Sequence, residues 1–181
     1  MAFAIELALD VASAAPVRAL WRRLAEAGLR FMADSGADPH VSLVIWDRFD
    51  VTRAAAEVAT VAAETAPVDV TFTHVAAFGA EVAYLAVAPS ARLAALQARV
   101  HAGFAALGDE PWPHYAPAAW VPHCTLAMDL SSVTAAGALA LASGLPLPLH
   151  ARLERMAIVE FRPVRERFFR PLTGGADAPR S

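Results

Sequence analysis

The feature that most constrains this chain is a pentad that occurs twice, Pro39-His40-Val41-Ser42-Leu43 and Pro122-His123-Cys124-Thr125-Leu126. Both copies read P-H-x-[ST]-L, both open an apolar run, and they lie 83 residues apart (123 minus 40). In a β-strand, residues i and i+2 point to the same side. Each copy therefore presents an imidazole and a hydroxyl on one face, while Val41 or Cys124 and the leucine point the other way. Proline is tolerated at a strand's first position because no ladder N–H is needed there. Independent draws from this composition would give two such tetrads among six histidines in about one sequence in a hundred. The fold must accommodate two equivalent strands, each carrying the same pair of polar groups.

The rest of the chain supplies helices and further strands around them. Ala4 to Leu9 reads as a strand. A helix follows from about Ala15 to Leu24, with Ser13 as cap, Pro16 in its first turn and Gly28 as stop. Its packed face is Val17, Leu20, Trp21 and Leu24. After the strand His40 to Trp46, a helix from about Arg53 to Thr65 is capped by Asp50 or Thr52. Val68–Phe78 and Val82–Val87 form a hairpin around Gly79. Ser90 caps a helix to about Leu107, with Leu93, Leu96, Val100, Phe104 and Leu107 on one side. The loop DEPWPHYAPAAW leads to the strand Val121 to Met128. A helix capped by Ser131 or Ser132 ends at Gly144, and Leu147 to Phe169 has strand character. Helices mixed with strands and a hairpin define an α+β domain rather than a parallel doubly wound sheet. It spans residues 1–172 as a single domain, followed by a loose tail, 173–181.

Charge and composition narrow the function. All fifteen basic residues are arginine, so lysine nucleophiles and Walker-type lysines are excluded, and the net charge of −3 disfavours long nucleic acid. Cys124 is the only cysteine, which rules out an intrachain disulfide and fits a reducing cytoplasm. The N-terminus carries Glu6 and Asp10 and no basic n-region, so no signal peptide is expected. The longest uncharged run, Leu130 to Ala151, contains serines and prolines and reads as helix, turn and strand rather than a membrane span. The expectation is a cytoplasmic monomer that takes a small nucleotide or an RNA end.

The paired motifs suit acid–base chemistry on a phosphodiester. Near neutral pH one imidazole of His40 and His123 can be neutral and act as base while the other is protonated and acts as acid. Ser42 and Thr125 would donate hydrogen bonds to nonbridging phosphate oxygens. Such a site opens a 2',3'-cyclic phosphate and calls for no metal or cofactor. Two structural histidines, or a zinc site completed by a third histidine, are the competing readings. The repeat disfavours the first, and the lack of closely spaced ligands disfavours the second. Tyr84, Trp112, Tyr115 and Trp120 are candidates for base stacking or cleft walls. His74, alternating with Val70 and Phe72, is expected in the core or cleft wall. His101 reads as a boundary residue, and His114 lies in the aromatic loop. Arg162, Arg165, Arg167 and Arg170, interleaved with Glu160 and Glu166, read as a solvated strand face.

At these residues the sequence resembles the two-histidine phosphoesterase superfamily, specifically its 2'-5' RNA ligase-like and cyclic phosphodiesterase branches. The signature is two H-x-[ST]-h motifs, matched here by His40-Val41-Ser42-Leu43 and His123-Cys124-Thr125-Leu126. The resemblance implies a bilobal α+β fold with pseudo-twofold symmetry. Each lobe is an antiparallel sheet with outer helices, and the cleft between them holds both motifs. It implies a phosphodiesterase, with 2'-5' RNA ligation as the alternative activity and a nucleotide-phosphate binding module as the non-enzymatic one. RNA ligase-like members often have arginine two residues after the hydrophobic position of the second motif. Here that residue is Met128, which favours a hydrolase acting on a small cyclic ester.

Overall fold

A computed structural model of the chain describes residues 1–175. In chain order the elements are β1 (Ala2–Leu9), α1 (Val11–Glu26), α2 (Phe31–Asp34), β2 (His40–Trp46), α3 (Val51–Glu64), β3 (Val68–Phe78), β4 (Val82–Val87), α4 (Ala91–Gly103), β5 (His123–Ala127), α5 (Ser132–Ala142), β6 (Leu149–Phe161) and β7 (Arg165–Pro171). Single 3₁₀ turns at Ala105–Leu107 and Pro113–Tyr115 punctuate the segment between α4 and β5. α1 begins one turn earlier than the sequence suggests. Asp10, not Ser13, is its cap and accepts from the Ala12 and Ser13 N–H groups at 2.9 and 3.0 Å. Pro16 therefore sits inside the helix rather than at its start. Asp50, Ser90 and Ser131 cap the later helices.

Seven strands form one sheet in the order β2-β1-β6-β3-β4-β5, with β7 also on β6, and every pairing is antiparallel. The two expected sheets are thus joined into a single ladder. β6 is the reason: its first residues, from Leu149, pair with β3, and its remainder pairs with β1 and β7. The chain reads as two units, β1-α1-β2-α3-β3 and β4-α4-β5-α5-β6, and each unit's last strand lies against the other unit's first. The motif strands β2 and β5 end the strand order, yet they pack against each other because the twisted sheet wraps round.

Ile5, Leu7, Trp46, Phe72, Leu85, Leu93, Phe104, Leu126, Leu153 and Met156 are completely buried and tie both units into one core. The hairpin turns at Gly79, whose φ of +55° is costly for a side-chain-bearing residue. At the C-terminus, the Thr173 and Gly174 N–H groups donate to the Ala62 and Thr65 carbonyls at 3.1 and 3.0 Å. These two residues of the expected loose tail are held against the end of α3, and residues 176–181 lie outside the described part. Among the described residues no helix is long and apolar enough to cross a membrane.

Candidate active site

The two motifs sit at matching positions in the two halves. In β2, His40 lies opposite Ala8 and Ser42 opposite Glu6; in β5, His123 lies opposite Ala86 and Thr125 opposite Tyr84. Both ladders then slip by one residue, and the extra residue is the motif leucine, Leu43 or Leu126. Such a bulge bends the strand just past its polar pair; Ser42 is buried, while His40, His123 and Thr125 are half-buried. The imidazoles are fixed alike. His40 Nδ1 donates to the Asp38 carbonyl at 2.6 Å, and His123 Nδ1 donates to the Val121 carbonyl at 2.7 Å. A carbonyl can only accept, so each Nδ1 carries a proton and each Nε2 is left for other partners.

Edge strands expose unpaired carbonyls, and here side chains cover them. Buried Gln97 of α4 donates from Nε2 to the Leu43 and Tyr115 carbonyls at 3.1 and 2.7 Å. Trp120 Nε1 donates to the Ser42 carbonyl at 3.0 Å, and Trp21 Nε1 of α1 donates to the Thr125 carbonyl at 3.1 Å. Each motif strand is thus pinned by the other unit's first helix. The strands also pack directly against each other, and burial pushes the Cys124 thiol up to about 12. Cys124 is accordingly a neutral packing group, not a nucleophile.

The surroundings of the two histidines differ. His123 is flanked edge-on by Phe78 and Tyr84, with centroids at 5.0 and 5.2 Å, and those two rings stack at 4.1 Å. Burial holds its pKa below the usual histidine value; the Val121 hydrogen bond opposes that, and the charge of His40 adds to it. The strands that carry the two histidines, β2 and β5, are in contact. His40 has a carboxylate partner instead, with Glu6 Oε2 3.3 Å from its Nε2. Glu6 is buried, and burial raises its pKa. His40 and Arg155 pull that value down, while Asp38 and Glu166 push it up. Arg155 of β6 lies opposite Ala8, pairs with Asp38 and Glu166, and stands 4.9 Å over the Phe169 ring.

Tyr84 and Tyr115 are found at the site, Tyr84 against His123 and Tyr115 against Ser42. The Tyr115 phenol is pushed up to about 12 by burial, with Ser42 hydrogen bonding opposing and Glu6 reinforcing. Trp120, half-buried, holds β2 through its Nε1. Trp112 lies elsewhere: it donates to Asp47 at 3.0 Å and meets Phe161 edge-on at 6.0 Å, beyond the far end of β2. His74 is exposed, because a bulge between Phe72 and His74 reverses the strand's alternation and turns it away from buried Val70 and Phe72. Arg162, Arg165, Arg167 and Arg170 are exposed, with Arg162 on Asp129 and Arg167 on Glu160.

Sequence reasoning missed Glu6, Arg155 and Phe78. A signal existed for Glu6, since it is the one charged residue in the apolar strand AFAIELAL. Among the described residues no three His, Cys, Asp or Glu side chains cluster closely enough to hold a metal.

The fold is shared with proteins of low sequence identity. TT0787 of Thermus thermophilus superposes with a TM-score of 0.62 at 18% identity, covering 97% of this chain and 100% of that one. Escherichia coli LigT gives 0.54 at 16% identity, covering 94% of each chain, and its complex with 3'-AMP gives 0.52 at 15%, covering 94% and 93%. No curated protein sequence matches the chain. Residues 7–164 match the model of the 2'-5' RNA ligase superfamily, and the chain belongs to that family.

Proposed function

We propose that this protein is a phosphodiesterase that opens the 2',3'-cyclic phosphate of a nucleoside or an RNA end by two-histidine acid–base catalysis. The observation that carries the reading is the matched fixing of both imidazoles. Each Nδ1 is committed to a carbonyl two residues back, so each imidazole exchanges substrate protons through Nε2, which at His40 also lies 3.3 Å from Glu6 Oε2. A water adds to phosphorus as one imidazole takes its proton. The P–O bond to ribose breaks as the other imidazole donates a proton to the leaving oxygen. Ser42 and Thr125 donate to the nonbridging oxygens, where charge accumulates. With a ribose hydroxyl in place of water as the attacking group, the same ring opening forms a phosphodiester. That second reading is favoured by the match of residues 7–164 to the 2'-5' RNA ligase superfamily. Both readings place a nucleotide phosphate between the motifs.

The test is turnover of 2',3'-cyclic nucleotides in EDTA, alongside ligation of RNA ends carrying a 2',3'-cyclic phosphate. His40→Ala and His123→Ala should each reduce kcat by about 10²–10⁴-fold, as removal of a positioned acid or base does. The double variant should lose far less than the product, because both groups act on one transition state. Near-native turnover by either single variant refutes the assignment.

A further inference from the structure

The substrate and the product of the proposed reaction differ by one charge. A cyclic phosphodiester carries a single negative charge, and the monoester left after ring opening carries close to two once its second proton is gone. We infer that this site accepts only a singly charged phosphate, so that it takes the cyclic ester, releases the monoester, and passes over RNA ends that already carry a terminal phosphate. This rests on the phosphodiesterase reading and specifies the charge state of what the site holds.

The chain has no lysine, so a fixed positive charge must come from arginine. Beside the first motif the arginines are already taken. Arg155 lies in one row with Ala8 and His40, and its terminal nitrogens go to Asp38, at 2.5 Å, and to Glu166. Arg18 of α1 holds the other oxygen of Asp38. Two guanidiniums thus face two carboxylates, and Glu6 is a third carboxylate, 3.3 Å from His40 Nε2. An additional proton on His40 is offset by Glu6, because imidazolium–carboxylate and imidazole–carboxylic acid are both neutral as pairs. Burial keeps Tyr115 and Cys124 uncharged through the working range.

The second motif adds little positive charge. His123 meets the rings of Phe78 and Tyr84 and the Val121 carbonyl, with neither arginine nor carboxylate among those contacts. Among the described residues, His40 is the one charged group that bears on it. Burial disfavours its charged form, so His123 supplies one positive charge at most. That single proton matches a phosphodiester. A monoester would bring a second negative charge, without a partner, into a half-buried place beside Glu6, which is costly.

The test is calorimetric and needs no turnover. The probes are 2'-deoxyadenosine 3'-phosphate and its O-methyl ester, which lack the 2'-hydroxyl and cannot cyclise. At pH 8 the wild-type protein should bind the ester about 10–100-fold more tightly, the worth of one unpaired charge at roughly 6 Å and an effective dielectric of about 20–40. At pH 5 the monoester is singly charged, its second pKa being about 6, and the ratio should fall below about threefold. Both probes meet the same histidine protonation at each pH, so the ratio reports the phosphate charge alone. Glu166→Gln releases one side of Arg155 at a half-exposed position. It should tighten the monoester at pH 8 by about threefold or more and the ester by less than about twofold, as partial return of a screened charge does. Equal or tighter binding of the monoester at pH 8 overturns the proposal, and so does binding of neither probe at millimolar concentration. A ratio unchanged by Glu166→Gln overturns it too, because Arg155 would then not be a cation that carboxylates withhold. If the wild-type protein turns over no cyclic phosphate, the phosphodiesterase reading fails, while the two-probe ratio still decides this inference.

Discussion

Gln97 offers a quantitative test of how the first motif is held. The residue is 1% exposed, and its two amide protons go to two carbonyls, Leu43 in the bulge of β2 and Tyr115 in the turn beside Ser42. Gln97→Ala removes both donors and leaves two acceptors in a dry place. A lost intramolecular hydrogen bond costs about 1 kcal/mol net, and a buried group left unsatisfied costs about 1–3 kcal/mol. Partial relaxation and water entry reduce the second figure, so the expected destabilisation is about 2–4 kcal/mol. For a domain of this size that lowers Tm by roughly 5–15 °C. Gln97→Glu should be worse than alanine at pH 8. An ionised carboxylate donates nothing and faces two carbonyl oxygens, while protonation restores only one donor. Its folded-state pKa is thereby raised, so its deficit should shrink as the pH falls toward the ordinary carboxylate value and grow as the pH rises.

Urea denaturation at several pH values measures this directly. Activity supplies a second reading, since freeing Leu43 loosens the bulge that aims His40 and Ser42. kcat should fall about tenfold or more in the folded alanine variant, as misplacement by a fraction of an ångström does. A Gln97→Ala protein within about 0.5 kcal/mol of wild type, with unchanged kcat, would refute the reasoning, because such a value is ordinary for a surface substitution.

Other expectations follow from the same geometry. Ser42→Ala and Thr125→Val should each lower kcat on a cyclic phosphate by about 10–10³-fold with the fold intact, as loss of one oxyanion donor does; effects confined to KM would remove them from the transition state. The His123 pKa is held low by burial, so the limb of the pH–rate profile that the His123→Ala variant loses should lie below the ordinary histidine value near 6.5. Loss of a limb above that value contradicts the burial of His123. Trp112→Phe should leave kcat within about twofold and affect stability only slightly, since the ring touches Asp47 and Phe161 rather than either motif.

The sequence was informative where the physics is local. Periodicity located the strands and most helices, and the pentads identified the two strands that matter, because a two-residue alternation is enough to put His40 with Ser42 and His123 with Thr125 on one side. What escaped was non-local. Alternation placed His74 with Val70 and Phe72, but a bulge reverses parity, and no pattern in VDVTFTHVAAF announces it. Capping by Asp10 rather than Ser13 was a choice between two good caps three residues apart. Arg155 joins the site only through the pairing of β6 with β1, which the chain makes after a long excursion, and Phe78 through the pairing of its hairpin with β5.

Those pairings also explain why duplication alone does not make two sites. Each unit's last strand is given to the other, β3 to β4 and β6 to β1, so neither unit completes its own sheet. The motif strands are pinned across the same boundary, β2 by Gln97 from α4 and β5 by Trp21 from α1. A histidine–hydroxyl pair is thus positioned only when both units are folded, and a single imidazole could not supply acid and base in one step. Exchange of strands couples the integrity of the two half-sites, while equal register keeps their geometry alike. Within that common frame the residue opposite the hydroxyl differs, Glu6 in one half and Tyr84 in the other.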